Sequence, residues 1–318
     1  MRTEEIIAIF VQAILTTCPD KKITYDFPWF LGFFEKNKEA IFSVCPGELF
    51  RTLDLKTDAL LRIMDGVSLS ISQATSGAKF DRSYVRLNYG ATVDGCDYLY
   101  YPSASPKRLI VNFSSMGKDR FDRYSRYWDE SQKWESDTAY LFFKDDSYKY
   151  YIGDDDFPKT GVYLRLIKQF LAINKLSPQQ TFSVGGSMGG YGALYYAMLM
   201  GMRGVIVAAP QTTLRAMEAH KFRNWIKHAR STGAQWRDID MLCHSTGNFP
   251  YLYVEYGTYS ADSLAVDTVL EEYKKNNTLV LVRKAGWADH TVDSVLSKEL
   301  VDNTIDYFEM HAAMSSLY

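Results

Sequence analysis

Cysteine is scarce in this chain. Only four occur in 318 residues (Cys18, Cys45, Cys96, Cys243), widely spaced and with no CxxC pair. That spacing supports neither a zinc ribbon nor a disulfide scaffold, and it fits a reducing compartment. Net charge of one sign is also missing. The 36 Lys+Arg nearly balance the 38 Asp+Glu, leaving −2, so the broad basic footprint of a nucleic-acid binder is absent. No long apolar run occurs. The N-terminal stretch MRTEEIIAIFVQAILTTCPD carries Glu4, Glu5 and Gln12 and stops at Pro19. It is too short and too polar for a membrane span, and the two Glu stand where a signal peptide would be positively charged. The expectation is a soluble, cytoplasmic protein with no membrane span. Apolar residues make up 47% of the chain, which excludes disorder as the main state.

Three textures follow one another along the chain. Residues 1–65 read as a helical N-terminal extension, with Ile6, Ile7, Phe10, Ala13 and Ile14 at helical spacing, then Leu53, Leu60, Leu61 and Met64. The short runs VSLSIS, YVRLNYG and DYLYYPS then read as β-rich. From residue 108 strands alternate with helices: RLIVNFS, TAYLFF, TFSVGG, GVIVAAP, YLYVEYG and TLVLVR as strands, with helices over 119–134, 159–174, 188–201, 263–275 and 294–314. Such alternation predicts an α/β fold, a mostly parallel sheet with helices on both faces. Residues 211–250 break the rhythm and read as a helical cap insertion within a catalytic domain spanning 66–318.

The sharpest motif is Gly185-Gly186-Ser187-Met188-Gly189-Gly190, a G-x-S-x-G at the end of an apolar strand and the start of a helix. A nucleophilic serine needs that context. The turn is tight, and glycine two residues to either side of Ser187 removes side chains that would collide with it. The backbone N–H of Met188 then points from the helix N-terminus at any developing oxyanion. A Gly-rich turn that binds phosphate is the competing reading, but neither G-x-x-x-x-G-K-[ST] nor G-x-G-x-x-G is present. Of the five histidines, His290 follows the last strand, where the base belongs. His220, His228 and His244 lie in the insertion and read as surface or cap residues. The acid should follow YLYVEYG. Asp262 does so, with Glu255 and Asp267 as alternatives and a helix start as its competing role. A second oxyanion donor is expected from NFSSMGKDR, at the backbone of Ser115 or Met116. No residue pattern calls for a metal.

From about residue 85 to the end, the elbow GGSMGG, the acid loop around Asp262 and the histidine loop around His290 stand in the order of the α/β-hydrolases, which this region resembles. The resemblance implies a Ser-His-Asp triad performing acyl transfer. The helical extension and the SMGGYGAL elbow are further similar to bacterial polysaccharide O-acetyltransferases of this fold, found in capsule synthesis, and to a related accessory secretion protein. That likeness implies acetyl-CoA as a small-molecule acyl donor, with no cofactor held permanently, and a glycan as acceptor. An esterase is the alternative, and a non-catalytic binding or scaffold protein the second alternative. Lys118 and Arg120, at the head of a basic run through Arg123 and Arg126, are candidates for holding an anionic substrate, and Trp287 for lining the pocket. Trp225 and Trp236 are expected in a lid wall, and the Tyr/Trp clusters either face sugar rings or pack in the core.

Overall fold

Strands that alternate with helices bury both faces, so they are written almost wholly in apolar residues. RLIVNF, TAYLFFK, TFSVGG and GVIVA are of this kind and form β3 (Arg108–Phe113), β4 (Thr138–Lys144), β5 (Thr181–Gly186) and β6 (Gly204–Ala208), buried over nearly their whole length. The structure, a computed structural model, describes residues 3–17, 27–45, 67, 85–86, 89–117, 121–124, 136–290 and 296–315. With β1 (Gly90–Val93), β2 (Cys96–Tyr101), β7 (Tyr251–Tyr256) and β8 (Val280–Lys284), they make an eight-stranded sheet of order β1-β2-β4-β3-β5-β6-β7-β8. Strand β2 runs antiparallel to β4, and every pairing from β4 through β8 is parallel.

The chain divides into two units, Met1–Gly90 and Ala91–Tyr318. In the first, α1 (Thr3–Thr17) and α2 (Phe27–Ser43) share a small core in which Phe10, Phe34 and Phe42 meet edge-on or tilted at 5.8–6.1 Å. The boundary expected at 65/66 lies outside the described residues. Val67, Val85, Arg86 and Tyr89 are helical, against the β reading of VSLSIS and YVRLNYG, and Gly90, the last residue of the second run, opens β1.

The second unit carries the sheet and its helices: α3 (Thr160–Asn174), α4 (Met188–Met200), then α5 (Leu214–Glu218), α6 (Arg223–Arg230) and α7 (Ile239–Thr246) within 211–250, then α8 (Ser260–Lys275) and α9 (Lys298–Ser315). Helix α4 is apolar all round and buried from Met188 to Met198, as a helix over the middle of a sheet must be. Most aromatics that flanked the expected site in sequence belong to this core. Tyr98 and Tyr100 pack on Phe170 at 5.3 and 4.3 Å. Tyr150, Tyr151, Tyr163 and Tyr196 are fully buried. Trp236 is no lid wall: it stacks on Tyr191 at 4.5 Å and donates its indole N–H to Asp238. Tyr127, Trp128 and Trp134 lie outside the described residues. No described helix is long and apolar enough to cross a membrane.

Candidate active site

The parallel register places the carboxyl ends of β5, β7 and β8 along one edge of the sheet, and each is followed by one predicted reactive residue. Ser187 follows β5 directly, at φ 53°, ψ −121°. A non-glycine residue held at positive φ costs on the order of 1–3 kcal/mol and persists only where its surroundings force it. Here they do. A Cβ on Gly185 would stand 2.1 Å from the Gly189 carbonyl oxygen, and one on Gly189 would stand 2.2 Å from that of Phe113. The Ser187 N–H donates to Ala208 (3.0 Å), and its carbonyl accepts from Tyr191 and Gln211, so both neighbouring elements hold the turn.

Asp262 lies in the first turn of α8, buried, three residues beyond the N-cap Tyr259. His290 lies in the loop after β8, its side chain 5% exposed. Their side chains meet: His290 Nδ1 and Asp262 Oδ1 are 2.7 Å apart. The two loops are zipped together by backbone. Ala285 N–H donates to Tyr256 at 2.8 Å, and the Thr258 N–H and hydroxyl donate to the Trp287 carbonyl at 2.7 and 3.0 Å. Trp287, expected to line the pocket, is thus half-buried, with its main chain fastening the histidine loop. With Nδ1 bonded to a carboxylate, the imidazole presents Nε2, which is buried and has no hydrogen-bond partner among the described residues. No hydrogen bond joins Ser187 Oγ to that nitrogen among the described residues.

Of the alternative acids, Glu255 is wholly buried within β7, accepting from the Tyr253 hydroxyl (2.8 Å) and the Arg283 guanidinium (3.2 Å). Both bonds end on Oε2, which ties the carboxylate to β7 and β8, while Oε1 is buried with no hydrogen-bond partner among the described residues.

The loop after β3 differs from expectation. Ser115 N–H donates to Asp122 Oδ2 at 2.7 Å, and its hydroxyl to the same oxygen at 2.5 Å. That N–H is therefore committed. Ser114 is committed too, its hydroxyl donating to the Phe143 carbonyl (2.8 Å) and accepting from Asp122 N–H (2.8 Å). The Tyr151 hydroxyl donates to the Ser114 carbonyl at 2.5 Å, and burial pushes that phenol well above its ordinary pKa, keeping it a donor. Two donors are left facing no protein acceptor among the described residues: Met116 N–H, and Met188 N–H, which as the first residue of α4 has no intrahelical partner. Asp122 and Tyr151 went unnoticed in the sequence because no local spacing ties them to Ser114. Lys118, Arg120 and Arg126 lie outside the described residues. Arg123, part of that basic run, is buried at φ 64° with Nη1 3.8 Å from Asp122 Oδ2.

His220 is a second departure. Read as a surface or cap residue, it is 3% exposed, and its ring lies 5.2 Å from that of His290, edge to face. Trp225 does form an apolar wall, 4.2 Å from His220 and 4.9 Å from His290. Burial, with His290 and Lys221 alongside, pulls the His220 pKa down to about 4. His220, Asp262 and His290 also offer ligating atoms within 4.8 Å of one another. One hydrogen bond weighs against a metal held by all three: His220 Nδ1 accepts from Phe222 N–H at 3.2 Å, which puts the ring proton on Nε2. A ligating nitrogen needs a free lone pair.

The insertion's cations are mostly spent on neighbours. Lys221 pairs with Asp289, Arg230 with Glu218, and Arg223 donates to the Glu218 carbonyl. Arg215 and Lys227 are exposed.

No family model and no curated protein sequence matches the chain. Solved structures do match it. A capsule O-acetyltransferase of Neisseria meningitidis serogroup A superposes with TM-score 0.50 at 16% identity, over 70% of this chain and 92% of that one. An S-formylglutathione hydrolase from Staphylococcus aureus matches with TM-score 0.50 at 15% identity, over 67% and 92%. Another, from Agrobacterium tumefaciens, matches with TM-score 0.50 at 14% identity, over 69% and 97%. The chain has the α/β-hydrolase fold. At these identities the likeness establishes the fold, and the chemistry must be argued from the site.

Proposed function

We propose that the protein is a serine acyltransferase that moves an acetyl group from acetyl-CoA to a carbohydrate hydroxyl. The observation that carries the reading is the 2.7 Å His290–Asp262 hydrogen bond together with a serine held at positive φ, all three residues following strands at the same edge of the sheet. Ser187 Oγ attacks the thioester carbonyl and passes its proton to His290 Nε2. Asp262 fixes the imidazole and stabilises the cation that forms. The oxyanion accepts from Met188 N–H and Met116 N–H, each such donor being worth about 3–4 kcal/mol in the transition state. The C–S bond breaks, and His290 returns the proton to the leaving thiolate. A sugar hydroxyl then gives its proton to His290 and attacks the acyl-serine, and the freed Ser187 oxygen takes the proton back.

Acetyl transfer to a glycan is favoured by the fold's match to a capsule O-acetyltransferase and by the aromatic wall of Trp225 beside His290. Arg215 and Lys227, with Lys118 and Arg120, are the cations proposed to hold CoA phosphates or an anionic polymer. Ester hydrolysis is the second reading, with water as the acceptor, and the equal match to two S-formylglutathione hydrolases favours it.

The test has two arms. A fluorophosphonate probe is expected to label the wild type and not Ser187→Ala, a loss of about 10⁴-fold or more. Brief exposure to acetyl-CoA is expected to leave an acetyl adduct on the elbow peptide, with CoA release rising when polysaccharide is added. A folded wild type that takes no probe overturns serine acyl transfer. Cleavage of simple acetyl esters, with CoA release indifferent to every acceptor tried, leaves the esterase.

A further inference from the structure

Buried polar atoms without partners are rare, and each asks for an explanation. Three of them meet at this site: His290 Nε2, Asp262 Oδ2 and His220 Nε2. The first is accounted for by the proposed reaction. The other two form a natural pair. Asp262 Oδ2 accepts only. His220 Nε2 donates only, because Nδ1 of the same ring already accepts from Phe222 N–H. Both side chains are more than nine-tenths buried, and the two residues offer polar atoms within 4.8 Å of each other.

The backbone around His220 is fastened to both loops that carry the pair. Lys221 N–H donates to the Tyr259 hydroxyl at 2.7 Å, three residues before Asp262. Lys221 Nζ pairs with Asp289, the residue before His290. The ring itself is wedged among Phe222, Trp225 and Tyr259 at centroid distances of 4.2–5.3 Å. Such packing serves a ring whose orientation matters.

We propose that His220 is a positioning residue: its Nε2–H donates to Asp262 Oδ2 in the working site, so that one carboxylate holds two imidazoles, one as base and one as a fixed neutral donor. The inference rests on the acyl-transfer reading for its purpose, though not for its geometry. The titratable and charged groups that face the pair are Lys221 from the insertion, Tyr259 from the start of α8, and Asp289 and His290 from the loop after β8. A donor on Oδ2 draws charge from the carboxylate and so tempers its hold on the imidazolium. Without it the base holds its proton more tightly, and the acid limb of the rate profile moves to higher pH.

Histidine ring ¹⁵N–¹H spectra test the bond without reference to activity. The full-length wild type is expected to show His220 protonated at Nε2 alone from about pH 5.5 upward, with a slowly exchanging downfield Nε2 proton. That proton is expected to vanish in Asp262→Ala and to survive in Ser187→Ala. In a folded His220→Phe variant, the acid limb of fluorophosphonate labelling is expected to rise by about one pH unit. His220→Gln, which keeps a donor at the same reach, is expected to restore the wild-type limb. A wild type without that proton, a proton indifferent to Asp262→Ala, or a His220→Phe profile that overlays the wild type overturns the proposal. A wild type that shows the proton but takes no probe defeats the acyl-transfer reading and leaves the bond standing.

Discussion

Replacing Asp122 by Ala removes the clamp on the loop that follows β3, and the cost follows from the contacts. Two bonds from Ser115, at 2.7 and 2.5 Å, end on one carboxylate oxygen of a residue 6% exposed. Hydrogen bonds to a charged group contribute about 1.5–3 kcal/mol each. The same substitution strands the buried Arg123 guanidinium, whose Nη1 lies 3.8 Å from that oxygen. Removing one partner of a buried pair costs about 3–5 kcal/mol, because the remaining charge is left uncompensated. The two accounts describe overlapping contacts, so they are not summed, and about 3–5 kcal/mol is expected in all. For a unit of this size each kcal/mol lowers the melting temperature by about 2–4 °C, so Asp122→Ala is expected to melt about 6–20 °C below wild type. Asp122→Asn keeps the shape and one acceptor and should fall between. The assay is a thermal melt by near-ultraviolet circular dichroism, with fluorophosphonate labelling on the same samples below the transition. Labelling is expected to slow as well, since Met116 N–H follows directly on Ser115. An Asp122→Ala melt within about 2 °C of wild type would refute the reasoning, because no arrangement of two lost charged bonds is so small.

Asp262→Asn is expected to cut probe labelling by about 10⁴-fold through the wrong imidazole tautomer, whereas Glu255→Gln should lower the melting temperature and leave labelling near wild type. The reverse pattern would move the acid from α8 into β7. Acid stability supplies another check. His220 holds its proton less readily folded (pKa about 4) than at its ordinary 6.5, so the unfolded chain binds more protons between those values. Stability should therefore fall as pH drops from about 6.5 to 4 and level off below, by on the order of 2–3 kcal/mol, and His220→Phe should flatten that slope in urea titrations followed at each pH.

What could be read from the sequence was whatever local pattern dictates. The interior strands announce themselves because β3 through β7 are buried on both faces and are largely apolar. The elbow announces itself because only glycine fits at 185 and 189, where an added Cβ would stand about 2 Å from a carbonyl oxygen. Arg123 at every third residue of a basic run looks like one face of a helix, yet its own φ of 64° is not helical and its guanidinium is buried near Asp122. Trp236 looks like a lid because it sits in the insertion, but its partner Tyr191 is on α4, which only the folded sheet brings near. His220 is hidden for the same reason: what buries it is a tyrosine 39 residues away and a histidine 70 residues away, reached through contacts no window of sequence contains.

The strand order explains why those long-range contacts gather at one place. Ser187 follows β5, Asp262 follows β7 and His290 follows β8, so the carboxyl end of β6 lies between Ser187 and Asp262. Whatever chain departs from β6 must therefore pass the site. Here that chain is 211–250, and its first residues bear this out: Gln211 N–H donates to the Ser187 carbonyl, and by residue 220 a side chain rests on His290. The positions of Ser187, Asp262 and His290 are set by the sheet, while the side chains packed on His290 come from a segment outside it. An insertion at that one point changes the surroundings of His290 without moving Ser187. On the proposed acyl-transfer reading, Trp225, Phe222 and His220 are where variants aimed at the choice between water and an alcohol belong.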